Sequence, residues 1–198
     1  MEADWEVEIG PEAPVVDALW GGFVDLKRAP ERIGEIEEAL RLPALADALL
    51  RLNRSKTIWT AKCDLWTLTE CDPDEMDATS DETTHAVACY VDLLPEDGWV
   101  FSTLESAEQW ARIATAGLRS VRCRCCRVDL VIRTALVGDV QGFGITAYVA
   151  GCGEGSDQSM NSFSAALKTF VEVACNGKIA NSPRARKRAF QQNQSEVQ

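Results

Sequence analysis

The stretch that most limits how this chain can fold is Val121–Val137, which holds three of the eight cysteines and four arginines in an otherwise strand-like run. Side chains of a strand alternate between two faces with period two. From Val121 to Cys125 the apolar positions are odd: Val121, Cys123 and Cys125, with Arg122 and Arg124 between them. From Cys126 onward they are even: Cys126, Val128, Leu130 and Ile132, with Arg127, Asp129 and Arg133 on the odd positions. The phase flips between Cys125 and Cys126. One inserted residue in a strand pair produces such a flip, so the pattern predicts a β-bulge there, with all three cysteines toward the core and the charges on the opposite face.

Three further segments alternate in the same way. Thr57–Thr69 sets Trp59, Ala61, Cys63 and Leu65 against Lys62, Asp64 and Trp66. His85–Leu94 sets Val87, Cys89, Val91 and Leu93 against Tyr90 and Asp92, and Phe143–Cys152 sets Phe143, Ile145, Ala147 and Val149 against Thr146 and Tyr148. The first two are joined by Glu70–Thr84, a connection with seven acids that reads as a solvated loop too long for a tight hairpin.

Helical spacing appears in the remaining segments. Ile33, Ile36 and Leu40, then Leu42, Leu45, Leu49 and Leu52, predict helix from Pro30 to Asn53. Pro43 would cost about 3 kcal/mol in a helix interior, so two helices should meet near Leu42 with Pro43 in the first turn of the second. Ser102-Thr103-Leu104-Glu105 has the form of a capping box, opening a helix with Ala107, Trp110, Ala111, Ala114 and Leu118 on its buried stripe. A last helix carries Met160, Phe163, Leu167, Phe170, Val171 and Ala174, and Asn176-Gly177 should end it.

The element order is helices, then β-β-α-β-β-α. Strands joined directly to one another are most simply antiparallel, and each helix has one apolar stripe. The expected fold is an α+β two-layer sandwich, an antiparallel sheet of four to five strands with helices on one face. Residues 1–28, with Trp5, Trp20 and repeated Gly and Pro breakers, read as an extended N-terminal arm packed on the body. Residues 29–178 form a single domain, and 179–198 a disordered basic tail.

Charge narrows the functional classes. The chain carries a net −11, but five of its twenty basic residues and only one of its 31 acids lie beyond Gly177, leaving −15 before that point and +4 after it. An acidic body disfavours nonspecific nucleic-acid and anionic-membrane binding, except weakly through the basic residues of 184–188. The acidic N-terminus lacks the basic and apolar regions of a secretory signal, and no apolar run has the length of a membrane span. Eight cysteines in such a chain read as reduced thiols of a cytoplasmic protein.

No motif fixes a chemistry. Cys123, Cys125 and Cys126 form a tight group without the second pair that a structural zinc site uses, so inert core thiols are the first reading and a metal- or thiol-dependent (redox) centre the alternative. Cys71 sits among carboxylates, which slow a thiol's reactions. His85 is the one histidine, which excludes sites built on several. Gly151-Cys-Gly-Glu-Gly155 fits neither dinucleotide nor phosphate-loop spacing, and no cofactor is implied. The most informative surface is the face turned away from the helices. Lys62, Asp64, Trp66, Tyr90, Arg122, Arg124, Arg127, Asp129, Arg133 and Tyr148 should lie there, with Asp92 and Thr146 between them. Mixed charge with three aromatics suits a protein partner (a second copy of the chain or another protein) or a shallow ligand site, and the alternative is that the N-terminal arm simply covers this face.

Overall fold

The computed structural model describes residues 1–69, 85–96 and 100–176. The acidic connection with Cys71, residue Gly177 and the basic tail lie outside the described residues. The described strands are β1 (Glu2–Val7), β2 (Val16–Asp17), β3 (Ile58–Leu68), β4 (His85–Pro95), β5 (Cys126–Val137) and β6 (Val140–Gly153). The α-helices are α1 (Glu37–Arg41), α2 (Pro43–Arg54), α3 (Leu104–Arg119) and α4 (Ser156–Asn176), with a 3-10 helix over Pro30–Glu35.

All six strands form one sheet in the order β1-β5-β6-β4-β3, with β2 following β1 along β5. Its four long strands are antiparallel, but β1 and β2 pair with β5 in parallel, so the sheet is mixed and not antiparallel throughout. The directly joined β5 and β6 do run antiparallel, across a two-residue turn with Gly138 at φ 59°. The N-terminal segment meets β5 more than a hundred residues later, and no hairpin dictates its direction.

The helices share one core with one face of the sheet. Leu45, Leu49 and Leu52 of α2, Trp110 and Leu118 of α3, and Phe163, Leu167 and Phe170 of α4 bury against Val91, Leu93, Val128, Leu130, Ile132, Ile145, Ala147 and Val149. Pro43 occupies the first turn of α2 and separates it from α1. Helix α3 is capped one residue later than the capping-box pattern indicates: Thr103 Oγ1, not Ser102, accepts from the Ser106 N–H at 3.2 Å. Strand β6 runs through Cys152 to Gly153, so the first half of the glycine segment is strand. A Cβ on Gly151 would stand 2.5 Å from the backbone carbonyl carbon of Ser162 and closer still to the Phe163 backbone. Glycine there admits the backbone of α4.

The flip at Cys125/Cys126 has a different cause from the one the alternation suggests. Residues 121–125 are not strand; β5 starts at Cys126, and Cys125 just before it has φ 56°, in the left-handed region. The kink turns Cys125 toward Ala86, Ala150 and Cys152 on the opposite layer, so only Cys126 and, in part, Cys123 join the main core. The sheet's irregularity lies in β3. Thr60 is paired with Leu93 and Cys63 with Val91, leaving Ala61 and Lys62 together opposite Asp92. That extra residue moves Trp59 and Ala61 to the layer opposite Cys63 and Leu65.

Candidate functional site

The register lays out in rows the face of the sheet turned away from the helices. One row crosses five strands: Asp64 is paired with Tyr90, Tyr90 with Tyr148, Tyr148 with Asp129, and Asp129 with Asp4. In a neighbouring row Trp66, Ala88, Ala150, Arg127 and Glu2 are linked in the same way. On the other side lies a row in which Asp92 is paired with Thr146, Thr146 with Val131, and Val131 with Glu6.

Trp66, Tyr90 and Tyr148 meet as a three-ring cluster. Ring centroids are 6.4 Å apart for Trp66–Tyr90, 6.5 Å for Trp66–Tyr148 and 6.0 Å for Tyr90–Tyr148, in tilted and edge-on arrangements that aromatic quadrupoles favour. Small residues, Ala88 and Ala150, separate Trp66 from Arg127 along their row. Burial, with Asp92 and Asp64 nearby, pushes the Tyr90 hydroxyl up to about 12, so it is a neutral hydrogen-bonding group.

A polar chain runs beside the rings. Thr146 donates its hydroxyl to Asp92 Oδ1 at 2.6 Å and accepts from Arg133 Nη1 at 3.4 Å. Arg133 also donates to the Tyr148 hydroxyl at 3.2 Å and, through two nitrogens, to Glu8 Oε2 at 2.7 and 3.0 Å. Burial opposes the Arg133 charge, but Glu8 and Tyr148 outweigh it and hold the guanidinium more firmly protonated than usual. Asp92 is only 7% exposed, and burial raises its carboxyl above the ordinary range despite Thr146, Arg133 and Lys62. Between Tyr148 and β1 lies an open groove of about 400 Å³ with Asp4, Glu6 and Asp129 facing Arg127 and Arg133; Arg127 Nε meets Asp129 Oδ2 at 2.7 Å.

The N-terminal segment covers one end of this face and leaves the rings open. Val16 and Ala18 bury with Leu94, Val100, Ala135 and Val137, Phe23 meets Trp59 edge-on at 5.7 Å, and Lys62 Nζ sits 5.5 Å from the Trp20 ring centre. Leu26 then enters the helical core beyond β3.

Of the candidate residues, Lys62, Asp64, Trp66, Tyr90, Arg127, Asp129, Arg133 and Tyr148 lie on strands of this face. Arg122 and Arg124 do not: they are exposed in the segment before β5, because that segment is not strand. The acids Asp4 and Glu6 of β1, and Glu8 just beyond it, were not legible as part of this face, since nothing local tells an arm from an edge strand.

The thiols are placed elsewhere. Burial pushes the Cys63 thiol up to about 12, with Glu38, Asp64 and Asp92 adding to it, and burial raises Cys89 and Cys175 too. Cys125 faces away from Cys123 and Cys126, and among the described residues no three Cys, His, Asp or Glu side chains are grouped to hold a metal. His85 heads β4 opposite Gly153. Among the described residues, no helix is long and apolar enough to cross a membrane. No protein-family model, curated protein or solved structure matches the chain.

Proposed function

We propose that this chain is a cytoplasmic binding module that associates with a second copy of itself through the uncovered face of its sheet. The observation that carries this reading is the half-buried cluster of Trp66, Tyr90 and Tyr148 on a face whose apolar end is already covered by the chain's own N-terminal segment. Aromatic and arginine side chains concentrate at the centres of protein interfaces. A two-fold interface must also be self-complementary. Here Lys62, Arg127 and Arg133 are interleaved with Asp64, Asp129 and Asp4, so a rotated copy can set acid against base without a separate partner. The same acidic surroundings disfavour nucleic acid and anionic lipid.

The test is the mass of the full chain in solution by light scattering across micromolar to submillimolar concentrations. The wild type should have about twice the 21.7 kDa chain mass. Trp66→Ala should shift it to monomer with an unchanged circular dichroism spectrum, since loss of a central aromatic contact costs about 2 kcal/mol or more, roughly 30-fold in dissociation constant. A wild type that stays monomeric throughout refutes the reading.

A further inference from the structure

Cys123 and Cys126 stand where the chain leaves α3 and enters β5, on the helical side of the sheet and apart from the proposed binding face. The left-handed Cys125, the one non-glycine residue with positive φ among the described residues, folds this segment back on itself. The two sulfurs come to 2.6 Å, between ordinary non-bonded contact and the ~2.05 Å of a disulfide bond. Among the described residues no other two thiols are brought together in this way. Cys125 is turned to the other layer with Cys152, so the arrangement is a pair and not a metal-binding cluster.

The two members differ in access. Cys123 is half-exposed, whereas Cys126 is 1% exposed and its sulfur lies 3.1 Å from the Arg124 carbonyl oxygen and 3.3 Å from that of Ser162. An external reagent therefore meets the more accessible Cys123 first. Arg122 and Arg124, the sequence neighbours of Cys123, are both exposed and add two positive charges that favour an anionic reagent.

We propose that Cys123 and Cys126 form a reversible disulfide by exchange with a carboxylate-bearing low-molecular-weight disulfide of the oxidised glutathione class. The Cys123 thiolate attacks one sulfur of the reagent, forming a mixed disulfide and releasing the other half as a thiol. Cys126 then attacks the Cys123 sulfur, the Cys123–Cys126 bond forms, and the second half leaves as a thiol. The two cysteines together give up two electrons and two protons, which reduce the reagent to two thiols. Burial raises the Cys126 thiol above its ordinary value, which makes Cys123 the better placed of the two to attack first. This assigns a role to the exposed arginines that the sheet face does not use.

The experiment incubates the full chain with glutathione at a series of oxidised-to-reduced ratios, quenches with acid, blocks free thiols and maps tryptic peptides by mass. Cleavage after Arg122, Arg124 and Arg127 leaves Cys123 and Cys126 on separate short peptides, so a bond between them appears as one joined species. The wild type should give that species, lighter by two hydrogens than the sum of its parts, and lose it on return to reduced glutathione. Cys125→Ser should behave in the same way. Cys126→Ser should stop at the mixed disulfide, with one glutathionyl group on Cys123, and Cys123→Ser should leave Cys126 unmodified. Absence of the joined species in the wild type overturns the proposal. So does its loss in Cys125→Ser, a bond from Cys125 to Cys152 in its place, or protection of both thiols by added Zn²⁺.

Discussion

Asn53, in the last turn of α2, is the polar residue on which the seating of β3 should depend. It is 5% exposed and makes three hydrogen bonds. Its Nδ2 donates to the Leu49 carbonyl at 2.8 Å and to Thr60 Oγ1 at 2.7 Å, while its Oδ1 accepts from the Thr60 N–H at 3.1 Å. Thr60 is the last paired residue before the bulge that sets Ala61 and Lys62 opposite Asp92, so this clamp fixes the strand on the near side of that irregularity. Asn53→Ala removes all three bonds and leaves the buried Thr60 N–H and hydroxyl without this partner. A buried group left unpaired costs about 1–3 kcal/mol, and the higher helix propensity of Ala returns only about 0.5 kcal/mol. The expected loss is about 3 kcal/mol. Thr60→Val removes only the hydroxyl and keeps the backbone bond to Oδ1, so it should cost about 1 kcal/mol. Urea unfolding followed by tryptophan fluorescence measures both as midpoint shifts at constant slope. In the double variant the hydroxyl bond is already gone, and the two costs should add to less than their sum. An Asn53→Ala cost no larger than that of Thr60→Val would refute the clamp.

Three other outcomes follow from the packing and charge. Gly151→Ala should cost about 3 kcal/mol or more in urea unfolding, because backbone atoms of α4 cannot rotate out of the way, whereas Gly155→Ala, with nothing within 4 Å, should stay within about 0.5 kcal/mol of wild type. Asp92→Asn should raise stability at pH 7 by about 1 kcal/mol, since the amide oxygen still accepts from Thr146 and the cost of burying a charge is removed. The folded state raises the Asp92 carboxyl, so this group's stabilising contribution is fully present below the ordinary carboxylate value of 3.8 and is lost as pH rises through the raised one. Thermal melts of wild type and Asp92→Asn should therefore draw closer as pH falls into the carboxylate range, and curves that stay parallel would contradict the assignment. Oxidation of the Cys123–Cys126 pair should leave the light-scattering mass unchanged, because the pair lies on the helical side of the sheet; dissociation on oxidation would show the two sites to be linked.

Local signals were legible where one residue's surroundings are decided within a few positions. Pro43 divides the leucine-rich helical segment because its ring and missing N–H act on the adjacent turn. The stripes Ala107–Trp110–Ala111–Ala114–Leu118 and Phe163–Leu167–Phe170 bury as their spacing requires. The even phase of β5 placed Arg127, Asp129 and Arg133 together on the open face. What escaped depends on partners distant in sequence or on alternatives with the same local pattern. A bulge and a left-handed residue at a strand start shift the phase equally, so Cys125 could not be told from a bulge by alternation. In β3 the apolar residues Trp59 and Ala61 are absorbed by the N-terminal segment on the outer layer, while Cys63 and Leu65 face the helices. Both layers there are apolar, and the alternation hides the extra residue. Ser102 and Thr103 are equally good caps, and only the path of the chain chooses between them.

The two faces of the sheet owe their difference to a few small and a few large side chains. On the helical side Gly151, with no Cβ, lets α4 lie directly on β6, and Gly117 of α3 lies against Val173 of α4. On the other side the N-terminal segment follows the apolar patch formed by Leu94, Ala135, Val137, Trp59 and Ala61, and turns past β3 to bury Leu26 in the helical core. It does not extend over Trp66, Tyr90 and Tyr148, which stand among Lys62, Asp64, Arg127, Asp129 and Arg133. Covering those rings with a further apolar segment of the same chain would desolvate the flanking charges and ion pairs without adding counter-charges, which is costly. A surface that brings its own counter-charges avoids that cost, and a rotated second copy is such a surface. On the proposed reading, a partner with interleaved acids and bases therefore suits this face better than a purely apolar one.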